Sequence, residues 1–192
     1  TTWTLEGSAT ARNILGGNGF AYSLLSLTQP GTGDQAGAAF APQTLAWDFN
    51  QAFDIRFNWY IQEPPGGGLR GDGMTFVLTT QPGLGQGGSG LGYDGTASAS
   101  VAWAIDTFHF DGEPVSPSLQ LLAGGSVTPL AATETGLGDS IRDPNYQWFG
   151  GLAFAPSGLD DGRGMLTASM SHIDLGSFSV SMVGSVAGIV RN

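Results

Sequence analysis

The stretch Gly71-Asp72-Gly73-Met74-Thr75-Phe76-Val77-Leu78 says most about how this chain folds, when it is taken with the two segments after it. The first of these is a glycine-rich run at residues 83–95, and the second is apolar, Val101-Ala102-Trp103-Ala104-Ile105-Asp106-Thr107-Phe108. The pattern predicts two strands joined by a flexible loop, with one carboxylate at the start of the first strand and another at the end of the second. This order favours a polar pocket at the edge of a β-sheet.

Alternating strand patterns recur along the whole chain. Polar and apolar residues alternate at residues 2–5, 53–61, 165–170 and 177–183. Segments rich in glycine and proline separate these strands, and no segment keeps a helical period for three turns. We therefore expect an all-β protein, an antiparallel β-sandwich of the jelly-roll kind, with residues 1–192 forming a single domain.

The composition narrows the classes of partner. Sixteen acidic residues against six arginines and no lysine give a net charge of −10, which repels phosphate backbones and anionic membranes. Nucleic acid is therefore a poor candidate partner, and no apolar run is long enough for membrane insertion. Cysteine is absent, which excludes disulfides and thiolate metal sites. The acidity and the few charges are typical of a secreted or cell-surface bacterial protein, and the lack of a signal sequence at Thr1 suggests a processed chain.

The order of the segments resembles the L-type (legume-type) lectin domain, a concanavalin-like sandwich. Besides the stretch at residues 71–108, the resemblance is carried by the strand at residues 3–10, by Leu27-Thr28 with Gln35-Ala36-Gly37-Ala38-Ala39-Phe40, and by the strand at residues 53–61. It implies a secreted, non-enzymatic domain that binds glycans or polysaccharide.

The resemblance also implies a sugar site at Asp72 and the glycine-rich loop. The matching aspartate of the family accepts hydrogen bonds from sugar hydroxyls, often after a cis peptide, and loop amides donate to the same sugar. Tyr93 or Trp103 would offer a ring for stacking. The residues themselves leave simpler roles open, since Asp72 can cap a turn and the glycines can form a plain hairpin. The implied carbohydrate-binding residues are Asp72, Gly88, Gly90, Leu91 and Tyr93.

The metal site departs from the family pattern. Ala104 stands two positions before Asp106, where the family has a glutamate, so no transition-metal site is expected. Phe110 replaces an asparagine ligand, so any calcium should be held weakly. The alternative is a solvated acidic turn that includes Glu113. The implied calcium ligands are Asp106, the Phe108 carbonyl and Asp111.

Catalysis is not expected. Glycosidases place an acid and a base or nucleophile on opposite sides of the scissile bond, and Glu63, Glu113 and Glu134 are not spaced for this. His109 and His172 alternate with apolar neighbours, which favours satisfied or exposed histidines over general bases.

Two further alternatives concern the long segments. Residues 131–147 lack strand alternation and predict a long surface loop, either functional or an ordered crossover. If the chain is complete as given, we expect its first strand to lack the C-terminal neighbour that is usual in the lectin family, so either residues 177–189 fill that place or a second subunit does. The second case would make the protein an assembly subunit of an extracellular fibre or adhesin, a homo-oligomer that keeps the sandwich without sugar or metal.

Overall fold

The computed structural model describes residues 2–15, 19, 21–45, 50–63, 66–67, 70–143, 147–159, 161–172 and 179–186. Within these residues the secondary structure consists of β-strands and two short 3-10 helices. None of the helices in this part of the chain has the length and apolarity required to cross a membrane.

Two four-stranded antiparallel sheets form the sandwich. The strands are β1 Thr4–Gly7, β2 Thr10–Leu15, β3 Ala21–Ser26, β4 Gly37–Phe40, β5 Phe53–Trp59, β6 Gly73–Thr79, β7 Ser100–Asp106, β8 Ser118–Ala123, β9 Ser126–Glu134, β10 Trp148–Pro156, β11 Gly164–His172 and β12 Ser179–Val186. The 3-10 helices are Gly88–Gly90 and Gly138–Arg142. The strand orders of the two sheets are β6-β7-β8-β9 and β12-β11-β10-β5, while β1 pairs with β4 and β2 with β3. The expected all-β antiparallel sandwich is confirmed.

The core between the two sheets agrees with the alternation in the sequence. In β5 the polar residues Asp54, Arg56 and Asn58 are exposed, and the intervening apolar residues are partly or fully buried. The ring of Phe57 stacks on Phe76 of the facing sheet, with centroids 4.3 Å apart. Trp103 is completely buried, and its indole Nε1 donates to the Ser169 carbonyl at 2.9 Å, which joins β7 to β11.

Strand β7 is buried along its whole length because both of its faces are covered. One face packs in the core between the sheets. The other face carries Ala102 and Ala104, which pack with Leu91 and Tyr93 of the glycine-rich loop and with Leu122 of β8. The two small alanines leave space for the loop, so the loop lies flat on the outer face of the sheet β6-β7-β8-β9.

The predicted surface loop at residues 131–147 is shorter than expected. Strand β9 continues to Glu134, and the 3-10 helix Gly138–Arg142 comes after it. The prediction was wrong for residues 131–134 because Ala131-Ala132-Thr133-Glu134 has too few large apolar residues to show an alternation, although its burial does alternate. Residues 144–146, including Asn145, lie outside the described residues.

The terminal strands find partners within the chain. β1 pairs with β4, and Thr4 lies opposite Phe40. The described part of the tail, β12, pairs with β11 instead of lying beside β1. Residues 177–178 and 187–192 lie outside the described residues, and assembly through an open edge stays a prediction.

Candidate functional site

Asp72 lies where two neighbouring strands meet the end of the sheet. Asp72 directly precedes β6, and Thr107 directly follows β7. The two residues lie side by side because Gly73 and Asp106 are register partners. The Thr107 backbone N–H donates to the Asp72 carbonyl at 2.7 Å, and its hydroxyl donates to the Gly71 carbonyl at 3.0 Å. The backbone on both sides of the Asp72 side chain is therefore fixed. The Gly71–Asp72 bond is trans, and the cis peptide bond among the described residues is Ser116–Pro117.

Arg142 is a site residue that sequence reasoning did not assign to the site. It ends the second 3-10 helix, is only 4% exposed, and donates from Nη2 to the Gly71 carbonyl at 3.0 Å and to the Thr107 hydroxyl. Burial lowers the pKa of Arg142, and the nearby Arg70 charge lowers it further. Arg142 lies 71 positions from Gly71 in the chain, and no local sequence signal indicates that contact.

Replacing Arg142 should loosen the backbone that carries Asp72. We expect Arg142→Met to lower the free energy of unfolding by about 2–3 kcal/mol, because the Gly71 carbonyl and the Thr107 hydroxyl lose a charged donor. Arg142→Lys should recover part of this loss. Urea unfolding measures the free energy of unfolding of both Arg142 variants. Arg56→Met is the control, since Arg56 makes an exposed ion pair with Asp54 and such pairs contribute little to stability. Equal losses for the two methionine variants would contradict the role of Arg142.

The glycine-rich loop is anchored to the sheet by Leu91 and Tyr93. The Tyr93 hydroxyl forms a hydrogen bond with the Ser100 hydroxyl at 2.8 Å and accepts the Gly125 N–H at 3.1 Å. At the start of the loop, the Leu84 N–H donates to the Glu6 carboxylate at 2.9 Å. These hydrogen bonds connect the loop to the start of β7, to the turn before β9 and to β1.

The backbone N–H groups of the glycine-rich loop fall into two groups, those with and those without a hydrogen-bond partner in the described part of the chain. The N–H groups of Gly90, Leu91 and Tyr93 donate to carbonyls of the loop itself. Those of residues 87–89 have no hydrogen-bond partner among the described residues. Gly88 is also the part of the loop near the carboxylate, since a Cβ atom placed on it would lie 3.8 Å from Asp72 Oδ2. The structure thus places Gly88, whose N–H is one of these free donors, near a carboxylate acceptor.

The rings predicted to stack on a sugar are not accessible. Tyr93 and Trp103 are both 0% exposed, Tyr93 under the loop and Trp103 between the sheets. The expectation that a sugar stacks on either ring is therefore corrected, because packing within the protein covers both faces of each ring. Instead, Phe108 and Phe110 are exposed at 46% and 44%, with ring centroids 4.9 Å apart. They lie on the loop at residues 107–116, which starts beside Asp72.

The implied calcium ligands do not form a complete site. Asp106 is 5% exposed, and its carboxylate accepts the Phe108 N–H at 3.0 Å and the Gln120 side-chain amide at 3.2 Å. Asp111 is exposed, and no group of three or more His, Cys, Asp or Glu within the described residues is placed to hold a metal ion. Calcium usually needs six to eight oxygen ligands, and this donor set does not fit that number.

The carboxylates at the site influence one another. Burial raises the pKa of Asp72, and the Glu113 charge raises it further, against the opposing effects of the Asp72 N–H and Arg142. Burial likewise raises the pKa of Asp106, opposed by the Phe108 N–H, and Glu113 again acts in the raising direction. Glu113, rather than Asp111, is thus the acidic residue of the 107–116 loop that acts on both aspartates.

The two histidines have different surroundings. His109 is exposed, with Nδ1 3.1 Å from the Pro114 carbonyl. His172 is buried with its ring edge-on to Trp148.

Several solved structures share this architecture, although no protein-family model and no curated protein matches the chain. An acidic lectin of winged bean, in complex with methyl-α-D-galactose, superposes with a TM-score of 0.65 at 20% identity, over 95% of this chain and 74% of that one. The chain has the L-type lectin fold. A basic winged bean lectin with Tn-antigen gives 0.63 at 22% identity, covering 98% and 74% of the two chains.

The same fold occurs in the exoplasmic/lumenal domain of VIP36. Its form bound to Ca²⁺ and Man2 has a TM-score of 0.62 at 17% identity, over 97% of this chain and 68% of that one. A metal-free form of the VIP36 domain superposes with a TM-score of 0.63. At these identities the likeness concerns the fold.

Proposed function

We propose that this protein is a carbohydrate-binding domain that takes a glycan between Asp72 and the glycine-rich loop. The observation that carries the proposal is the approach of Gly88 to the Asp72 carboxylate, with unbonded amides at residues 87–89. A carboxylate accepts from two neighbouring sugar hydroxyls, while backbone N–H groups donate to the oxygens of the same ring. Glycine permits this close approach because it has no side chain.

The residues implied by the resemblance take different parts in the proposed site. Asp72 and Gly88 face the sugar, whereas Gly90, Leu91 and Tyr93 support the loop from beneath. Phe108 and Phe110 provide exposed rings for the apolar face of a sugar, which is the role first expected of Tyr93. No step of catalysis is assigned to these groups.

Lectin neighbours support the proposal. The winged bean lectins are described with methyl-α-D-galactose and Tn-antigen, and VIP36 with mannose-containing ligands. We propose a glycan as the partner here and an extracellular or cell-surface location, in keeping with the acidity of the chain. The assembly-subunit alternative has no comparable support among these neighbours.

A glycan array tests the function directly. Labelled wild-type protein should bind a defined group of glycans, and the same glycans should be lost from the Asp72→Asn profile. An array on which the wild type binds no more glycans than Asp72→Asn would refute the proposed site.

Glycan binding should weaken in acid. The carboxylate form of Asp72 accepts two hydroxyls, so affinity should be constant near neutral pH and fall as the pH drops through the pKa of Asp72. Because burial and Glu113 raise that pKa, the fall should begin above the ordinary aspartate value of about 3.9. Calorimetric titration with an array-identified glycan over a pH series measures the affinity at each pH. A profile that stays flat down to the ordinary aspartate range would contradict an ionised acceptor.

A further inference from the structure

The Asp106 carboxylate is held by donors of the chain itself. The Phe108 N–H approaches Oδ1 at 3.0 Å, and the Gln120 amide nitrogen approaches Oδ2 at 3.2 Å. Gln120 is 2% exposed and also donates to the Ser118 hydroxyl at 2.9 Å. A buried carboxylate needs such partners, because an unpaired one carries a large desolvation penalty.

The 107–116 loop is fastened by similar bonds. Glu113 accepts the Phe110 N–H on its carboxylate at 2.9 Å, and the Glu113 N–H donates to the Phe110 carbonyl at 3.1 Å. At its start, the loop is joined to Asp72 through the Thr107 N–H. In a calcium-loaded loop, the cation would gather these carboxylates and carbonyls around itself.

We infer that Gln120 and the backbone amides replace a divalent cation here, so that the sugar-site loop is organised without metal. Asp106, Glu113 and Gln120 line one cavity of about 190 Å³ beside Ser89 of the glycine-rich loop. The side chain of Gln120 brings N–H donors to a place flanked by two carboxylates. A neutral amide satisfies Asp106 there without adding negative charge.

Gln120 is thereby the residue that decides cation dependence. Gln120→Glu keeps the shape of the side chain, removes its donors and adds a third carboxylate to the cavity. Three clustered carboxylates repel one another and supply oxygen ligands that a hard cation prefers. This variant should therefore require calcium where the wild type does not.

Differential scanning calorimetry in excess EDTA and in excess CaCl₂ tests the inference. The wild-type Tm should be the same in both buffers, since a cation raises Tm only when it binds the folded state. Gln120→Glu should have a Tm roughly 5–10 °C below wild type in EDTA, and CaCl₂ should restore much of that loss. Gln81→Glu is the matched control, because it makes the same charge change at an exposed position after β6. Its Tm should equal that of the wild type in both buffers.

Two outcomes would overturn the inference. One is a wild-type Tm that rises in CaCl₂, and the other is a Gln120→Glu variant that matches wild type in EDTA. The wild-type comparison decides the question even if the variant does not fold. The functional meaning of the inference rests on the proposed sugar site. Because the calorimetry uses no sugar, its result tests the metal-free organisation of the loop separately from glycan binding.

Discussion

Asp72→Asn is expected to lower glycan affinity by about ten- to over a hundredfold, which corresponds to the loss of a charged hydrogen-bonding group worth about 1.5–3 kcal/mol. The side chain keeps its size, and the backbone contacts of Asp72 through its carbonyl do not depend on the carboxylate. The affected step is therefore recognition of sugar hydroxyls. Isothermal titration calorimetry with an array-identified glycan gives the affinity.

Folding should survive this substitution. Because the folded-state pKa of Asp72 is raised, its contribution to stability is favourable below the unfolded pKa and is lost as the pH rises through the folded pKa. At neutral pH the ionised side chain thus opposes folding, and Asp72→Asn should be at least as stable as wild type. Asp54→Asn, at an exposed position on β5, is the control and should leave affinity unchanged. Equal affinities for wild type and Asp72→Asn would remove this residue from the site.

Gly73→Ala is expected to destabilise the protein by about 2–4 kcal/mol. A Cβ atom at this position would lie 2.1 Å from the Ile105 carbonyl oxygen of β7, and the φ angle of Gly73 is +157°, which residues with a side chain rarely adopt. The β6–β7 pairing would have to shift at the point where Asp72 and Thr107 meet. Urea unfolding measures the loss.

Gly71 provides the matched control for this prediction. It lies two residues earlier, a Cβ atom there would meet nothing within 4 Å, and its φ is not positive. Gly71→Ala should therefore change stability by no more than about 0.5 kcal/mol. Similar stabilities for the two alanine variants would show that Gly73 is not required at the start of β6.

Much of the fold was predictable because strand alternation is a local property. Polar and apolar residues alternate through β5 and β11, and the burial of their side chains alternates in the same register. Strand β7 could be recognised as a strand, but its burial on both faces could not be read from the sequence. That burial depends on Leu91 and Tyr93, which come from a loop with no regular pattern.

The candidate site was predictable only in part. The sequence places Asp72 before a strand and a glycine-rich run after it, so the order of residues is enough to predict a polar site at this edge. The choice of ring was wrong for Tyr93 because an exposed and a buried aromatic residue look alike in a sequence. Nothing in the order of residues indicated that Glu113, and not Asp111, acts on Asp72 and Asp106.

The class of fold and the position of the carboxylate at the end of a strand could be read from the order of residues, since both depend on neighbours along the chain. The groups that meet this carboxylate became known only from the folded molecule. Arg142 reaches the Gly71 carbonyl across 71 positions, and Gln120 reaches Asp106 across 14. Such contacts arise from the packing of distant segments, and packing depends on three-dimensional fit that no local periodicity encodes.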